Sequence, residues 1–264
     1  QNGATATVTI ENLGIQNGVA TGNNSGGGIE VKKMAGTVNL KNLIVKNNMA
    51  ARAGGGISLL GSNVNMEGCV VRNNAVTTEK SSGGGIKVVP SNGTGQDVTV
   101  NIRNTHILYN ASVHNGAGLY AWGNNKWGNN YTLSLNIENT IIAYNESRTG
   151  NGGGAFIKAT THSKTGEANV AITIKNMTMA YNTANGNKYG IFFFNNPTVN
   201  MYNTLISQNG GKAHNDVNFK QSNTQNVINC VFGNVYGLKS NVANKEKTKV
   251  GVFNDIDLSE VITE

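Results

Sequence analysis

The chain has 264 residues, including 45 Asn, 34 Gly and only 2 Pro, and 13% of it is charged. That length suits one elongated domain or two small globular ones, and apolar residues recurring in register exclude a disordered polar chain. The net charge of +7 raises nucleic acid or acidic polysaccharide as partners. However, Lys and Arg are dispersed apart from Lys245, Lys247 and Lys249, so a solvated surface is the reading and no nucleic acid is expected.

Short Val/Ile/Leu alternations bounded by Asn and Gly, with no sustained 3.6-residue period, indicate strands. The first carries Val8 and Ile10 and ends at Asn12. The pattern returns as Val38 and Leu40 before Asn42, Val64 and Met66 before Gly68, and Val100 and Ile102 before Asn104. It continues as Leu135 and Ile137 before Asn139, Ile172 and Ile174 before Asn176, and Val199 and Met201 before Asn203, with a last marker at Asn229. Alternate residues of a strand share one face, and the apolar one is assigned to the interior. A second apolar step follows each marker and leads to Asn48, Asn74, Asn110, Asn145, Asn182 and Asn209. Gly-rich turns at 26–28, 54–56, 83–85, 116–118 and 152–154 then open another strand.

Markers about 26 to 37 residues apart fit one coil per repeat with loops of variable length. The expectation is an all-β, right-handed parallel β-helix, a solenoid of about eight coils over residues 1–235. Residues 236–264 lose the repeat and read as a cap or exit segment. Coils stacked about 4.8 Å apart would align the six Asn residues into an amide-to-amide ladder. The residue before each marker reads Glu11, Lys41, Glu67, Arg103, Glu138, Lys175, an alternation that this stacking order predicts. Cys69 and Cys230 follow markers about five coils apart, too far to bridge, and are expected as buried free thiols.

The pairing of Gly-Gly-x-Ile with apolar-x-x-Asn resembles the repeat of chlamydial polymorphic outer-membrane proteins. It is also similar to pectin-lyase-like β-helix surface proteins of Bacteroidetes. The resemblance covers about residues 6–235, with Val, Ile or Met where Phe is usual. It implies a cell-surface or secreted protein, from groups that are mostly adhesins or uncharacterised, on a fold that also hosts polysaccharide lyases and hydrolases.

Once the charge column is set aside, the remaining acids scatter, and Asp216 stands where a turn opens a strand and reads as a turn residue. His106, His114, His162 and His214 lack metal-ligand spacing, so no metal, cofactor or catalytic residue is assigned. The strand after each Gly turn has outward positions that begin polar at Glu30, Lys32, Ser58 and Lys87. They become aromatic at Tyr120, Trp122, Phe156, Phe192 and Phe194, and a long connection adds Trp127 and Tyr131. These seven aromatics are the candidate ligand-binding residues, for a glycan or a host or neighbour-cell protein. Two arrangements stay open: the strip faces a ligand, or the connections at 90–97, 123–131 and 159–169 fold back over it. Tyr109, Tyr144 and Tyr181 read as a structural stack.

The leading expectation is a noncatalytic adhesion or binding module. A polysaccharide lyase or glycoside hydrolase, and a structural stalk, are the alternatives. No run is apolar enough to span a membrane and no signal peptide is evident, so either a mature chain or an excised fragment is expected. The open edge near Ala6 implies that earlier coils were removed or that another domain covers it, and additional domains of the parent protein are expected.

Overall fold

A computed structural model describes residues 6–90, 96–123, 131–160, 170–186, 189–210, 215–219, 224–238 and 249–250. Among them there is no helix, and the strands form four all-parallel sheets. The chain is an all-β, parallel β-helix-like solenoid. One coil shows the path: Val38–Lys41 lies in the first sheet, Ile44–Lys46 in the second, Met49–Ala50 in a short third and Ile57–Leu60 in the fourth. Val64–Glu67 then returns to the first sheet in register, Val38 opposite Val64.

The interior is one apolar column. Leu40, Val45, Ile57, Val100, Ile107, Leu119, Ile142 and Ile172 are all fully buried. Successive strands interlock because equivalent apolar residues stack, so no coil closes its core without neighbours. At the far end the column becomes aromatic, with Phe193 stacked on Phe219 at 5.2 Å.

Both bends need left-handed backbone. Asn12, Asn42, Asn104, Asn139, Asn176, Asn203 and Asn229 adopt φ between 47° and 57°, and Gly68 takes the same role at 63°. Asn tolerates this region better than other non-Gly residues, which explains its use as the marker. The next bend uses Asn17, Asn47 and Asn73, then Tyr109, Tyr144 and Tyr181. The tyrosine rings stack at 4.9 and 5.1 Å, as expected for a structural stack.

The charge column is in the expected register, with Glu11 opposite Lys41, Lys41 opposite Glu67 and Arg103 opposite Glu138. Among the described residues one of these pairs closes as an ion pair, Arg103 to Glu138 at 3.3 Å. At such exposed positions a pair contributes only a few tenths of a kcal/mol.

The Asn ladder runs through the interior edge. Asn48 Nδ2 donates to Asn74 Oδ1 at 3.0 Å, and the same bond links Asn74 to Asn110, Asn110 to Asn145, Asn145 to Asn182 and Asn182 to Asn209. Each backbone N–H donates to the same oxygen. A glycine column lies against it: a Cβ on Gly56 would come within 2.9 Å of Asn74 Nδ2, and one on Gly85 within 2.9 Å of Asn110 Nδ2. This contact accounts for the coupling of the Gly turn and the Asn within each repeat.

Asp216 departs from the turn role expected of it. Strand pairing puts it next in the glycine column after Gly190, inside the strand Asn215–Asn218. Its buried side chain enters the space the ladder occupies. Oδ1 accepts from Asn209 N and Nδ2, both at 2.9 Å, and Oδ2 accepts from Asn234 N at 2.7 Å. A donor-rich column thus ends on an acceptor-only group, which leaves its last amide satisfied.

Cys69 and Cys230 are free and buried. Both sit in a column with Thr105, Thr140 and Thr204, whose hydroxyls donate to the carbonyl two residues back. The thiols make the same contact. Burial pushes both thiols up, Cys230 to about 11, which keeps them protonated and unreactive. Of the segment expected as a cap, 239–248 and 251–264 lie outside the described residues. Lys249–Val250 pairs in parallel with Val231–Phe232 and extends the second sheet.

Candidate functional face on the fourth sheet

Each strand of the fourth sheet alternates between core and surface. Register aligns the surface positions into two columns. The first runs Glu30, Ser58, Lys87, Tyr120, Phe156, Phe192. The second includes Lys32 beside Leu60, and Trp122 beside Lys158 and then Phe194. The outward residues picked from the sequence therefore do share one face.

The face is not uniformly open. Phe156 and Phe192 are buried, at 4% and 7% exposure, and so is Tyr131 at 6%. Tyr120 stacks on Phe156 at 5.8 Å, and Phe156 on Phe192 at 5.5 Å. Parallel strands hold equivalent residues one strand spacing apart, which favours ring-on-ring stacking. Tyr120, Trp122 and Phe194 remain half-buried. Trp127, most of the connection 123–131 and most of 159–169 lie outside the described residues. Burial pushes the Tyr120 phenol up to about 12.

Trp122 is held in place on this face. Its indole N–H donates to Thr160 Oγ1 at 2.9 Å, and the Lys158 ammonium lies 5.0 Å from its ring and 5.7 Å from Phe194. Beyond Trp122 a groove of about 400 Å³ extends toward the first coils, lined among others by Asn24, Glu30, Lys32, Arg52, Ser58 and Lys87. A second, of about 440 Å³, is lined by Tyr120 together with Lys80, His114, Asn151, Phe156 and Lys158. Lys87 is half-buried. Burial lowers its pKa first, and the nearby Arg52 charge lowers it further, while Glu30 acts in the opposite direction. His114 is lowered by burial and by Lys80.

The sequence reading marked the aromatics and missed Arg52 and Lys80. Both come from the connections ahead of the Gly turns, and only folding brings them beside the fourth sheet. A third, shallower groove on the first sheet is lined by Thr173, Lys175, Asn200, Tyr202 and Asn203. Among the described residues no group of three or more His, Cys, Asp or Glu is placed to hold a metal, and no helix is long and apolar enough to cross a membrane. Compared with family models, with curated proteins and with solved structures, the chain finds no match.

Proposed function

We propose that this chain is a noncatalytic binding module of a cell-surface or secreted protein, akin to the pectin-lyase-like surface β-helices, and that its fourth-sheet face takes a glycan. The observation that carries this reading is the groove walled by Trp122 and floored by polar side chains. A fixed indole beside hydroxyl and amide groups offers a sugar both an apolar platform and hydrogen-bond partners. Trp122, Tyr120 and Phe194 are the aromatic contacts, and buried Phe156 and Phe192 continue the Tyr120 ring stack along the sheet.

The test is retention on immobilised polysaccharides, comparing the chain with Trp122→Ala. Loss of the indole should weaken binding by about tenfold or more, since such anchors are worth roughly 1.5–2 kcal/mol, with the far-UV circular dichroism unchanged. Equal retention of the variant would remove the face from the account. A second reading, a polysaccharide lyase, has Lys87 in its favour: an amine made easier to deprotonate by burial and Arg52 suits proton abstraction. Shortened polysaccharide on size-exclusion chromatography would select that reading.

A further inference from the structure

The cations look dispersed along the sequence, yet the fold collects several of them on one face. Lys32, Lys33, Arg52 and Lys87 line the first groove and Lys80 and Lys158 the second, and among the described lining residues the one carboxylate is Glu30. Among the described residues the one ion pair is elsewhere, between Arg103 and Glu138, so none of the six is neutralised by a salt bridge there. Lys87, Arg52 and Glu30 line one groove. Burial and the Arg52 charge disfavour the charged Lys87 while Glu30 favours it, and a further anion in that groove would favour it more. Tyr120 lines the second groove, and Lys158 belongs to that groove while lying over the Trp122 ring of the first. From Glu30 and Lys32 to Lys158 is four strand spacings, about 19 Å, enough for an extended oligomer rather than a single sugar.

We propose that the fourth-sheet face binds an anionic polysaccharide along the solenoid axis, its carboxylate or sulfate groups meeting Lys32, Arg52, Lys87 and Lys158 and a sugar ring lying on Trp122. Arg52 supplies the planar fork that pairs two oxygens of such a group, and the lysines act as point charges. This rests on the reading of the face as a glycan site and adds the charge of the ligand.

The experiment is affinity electrophoresis and isothermal titration of the full chain with polygalacturonate, heparin, neutral dextran and a single-stranded DNA oligonucleotide. Retention by polygalacturonate or heparin is expected, falling as salt rises, and the stronger of the two identifies carboxylate or sulfate as the group recognised. Arg52→Gln/Lys87→Gln should weaken it at least tenfold with unchanged circular dichroism. Lys41→Gln/Lys46→Gln removes the same charge from other sheets and should leave affinity within about twofold. Equal loss in both double variants would reduce the effect to bulk charge and overturn the proposal. DNA held as tightly as either acidic glycan would also overturn it. Binding of dextran alone would leave the glycan site standing and refute its charge preference, and binding of no probe would sink both.

Discussion

Replacing Asn145 by Ala should show how much the buried ladder holds. Asn145 Oδ1 accepts from Asn110 N at 2.9 Å and from Asn110 Nδ2 at 3.0 Å. Its own Nδ2 donates to Ile107 O, Ala143 O and Asn182 Oδ1. In the Ala variant Asn182 Oδ1 keeps the Asn145 backbone N–H at 3.0 Å. Asn110, however, loses the acceptor for two donors in a place water does not reach. Each stranded donor costs about 1–3 kcal/mol, so a loss of about 2–6 kcal/mol is expected. The control is Asn136→Ala on the outer face of the first sheet. Asn136 Nδ2 donates to Asn101 Oδ1 at 2.9 Å, nearly the same bond, but at a half-buried position open to water. Its loss should cost no more than about 1 kcal/mol. Urea unfolding followed by far-UV circular dichroism measures both. If the two variants lose the same stability, or Asn145→Ala loses under about 1 kcal/mol, burial is not what makes the ladder matter.

Gly85→Ala should destabilise by about 1–3 kcal/mol, because its Cβ would meet Gly118 O at 2.7 Å and Asn110 Nδ2 at 2.9 Å. Gly14→Ala, with nothing within 4 Å, should be neutral or slightly stabilising in the same urea assay. Asp216→Asn can keep one oxygen toward Asn209 but turns an NH₂ against the Asn234 N–H, and should cost about 1–3 kcal/mol by thermal melting. Stability should also fall at alkaline pH. The folded Cys230 thiol is raised from 9.0 to about 11, so the folded state keeps a proton that the unfolded state releases. The contribution is intact below about pH 9 and is lost toward pH 11, up to roughly 2.7 kcal/mol. Tyr120, raised from 10.0 to about 12, acts in the same direction but is only half-buried and contributes less. Cys230→Thr, which copies Thr204 one coil earlier, should flatten much of the slope between pH 8 and 10.5. An unchanged slope would exclude the thiol as its source.

Most of the architecture was legible in the sequence because its causes are local. Period-2 alternation at Val38 and Leu40 or Leu135 and Ile137 reports which face is inside. Asn at a left-handed bend and Gly beside an amide are demanded by backbone geometry that every coil repeats. Stacking then follows from repetition, so the Asn ladder and the charge register could be read without coordinates. What only the tertiary structure decided depends on residues that share no repeat position. Arg52 and Lys80 reach the fourth sheet from separate connections, and the extent to which Phe156, Phe192 and Tyr131 are buried depends on what packs over them. Asp216 is the sharpest case. Its letter in the sequence suits a turn, and its role as the acceptor that ends the ladder exists only because strand pairing sets it in the glycine column. Such a role is decided by which residue register places after Gly190, beside Asn209, a relation across coils that the spacing of the chain does not by itself reveal.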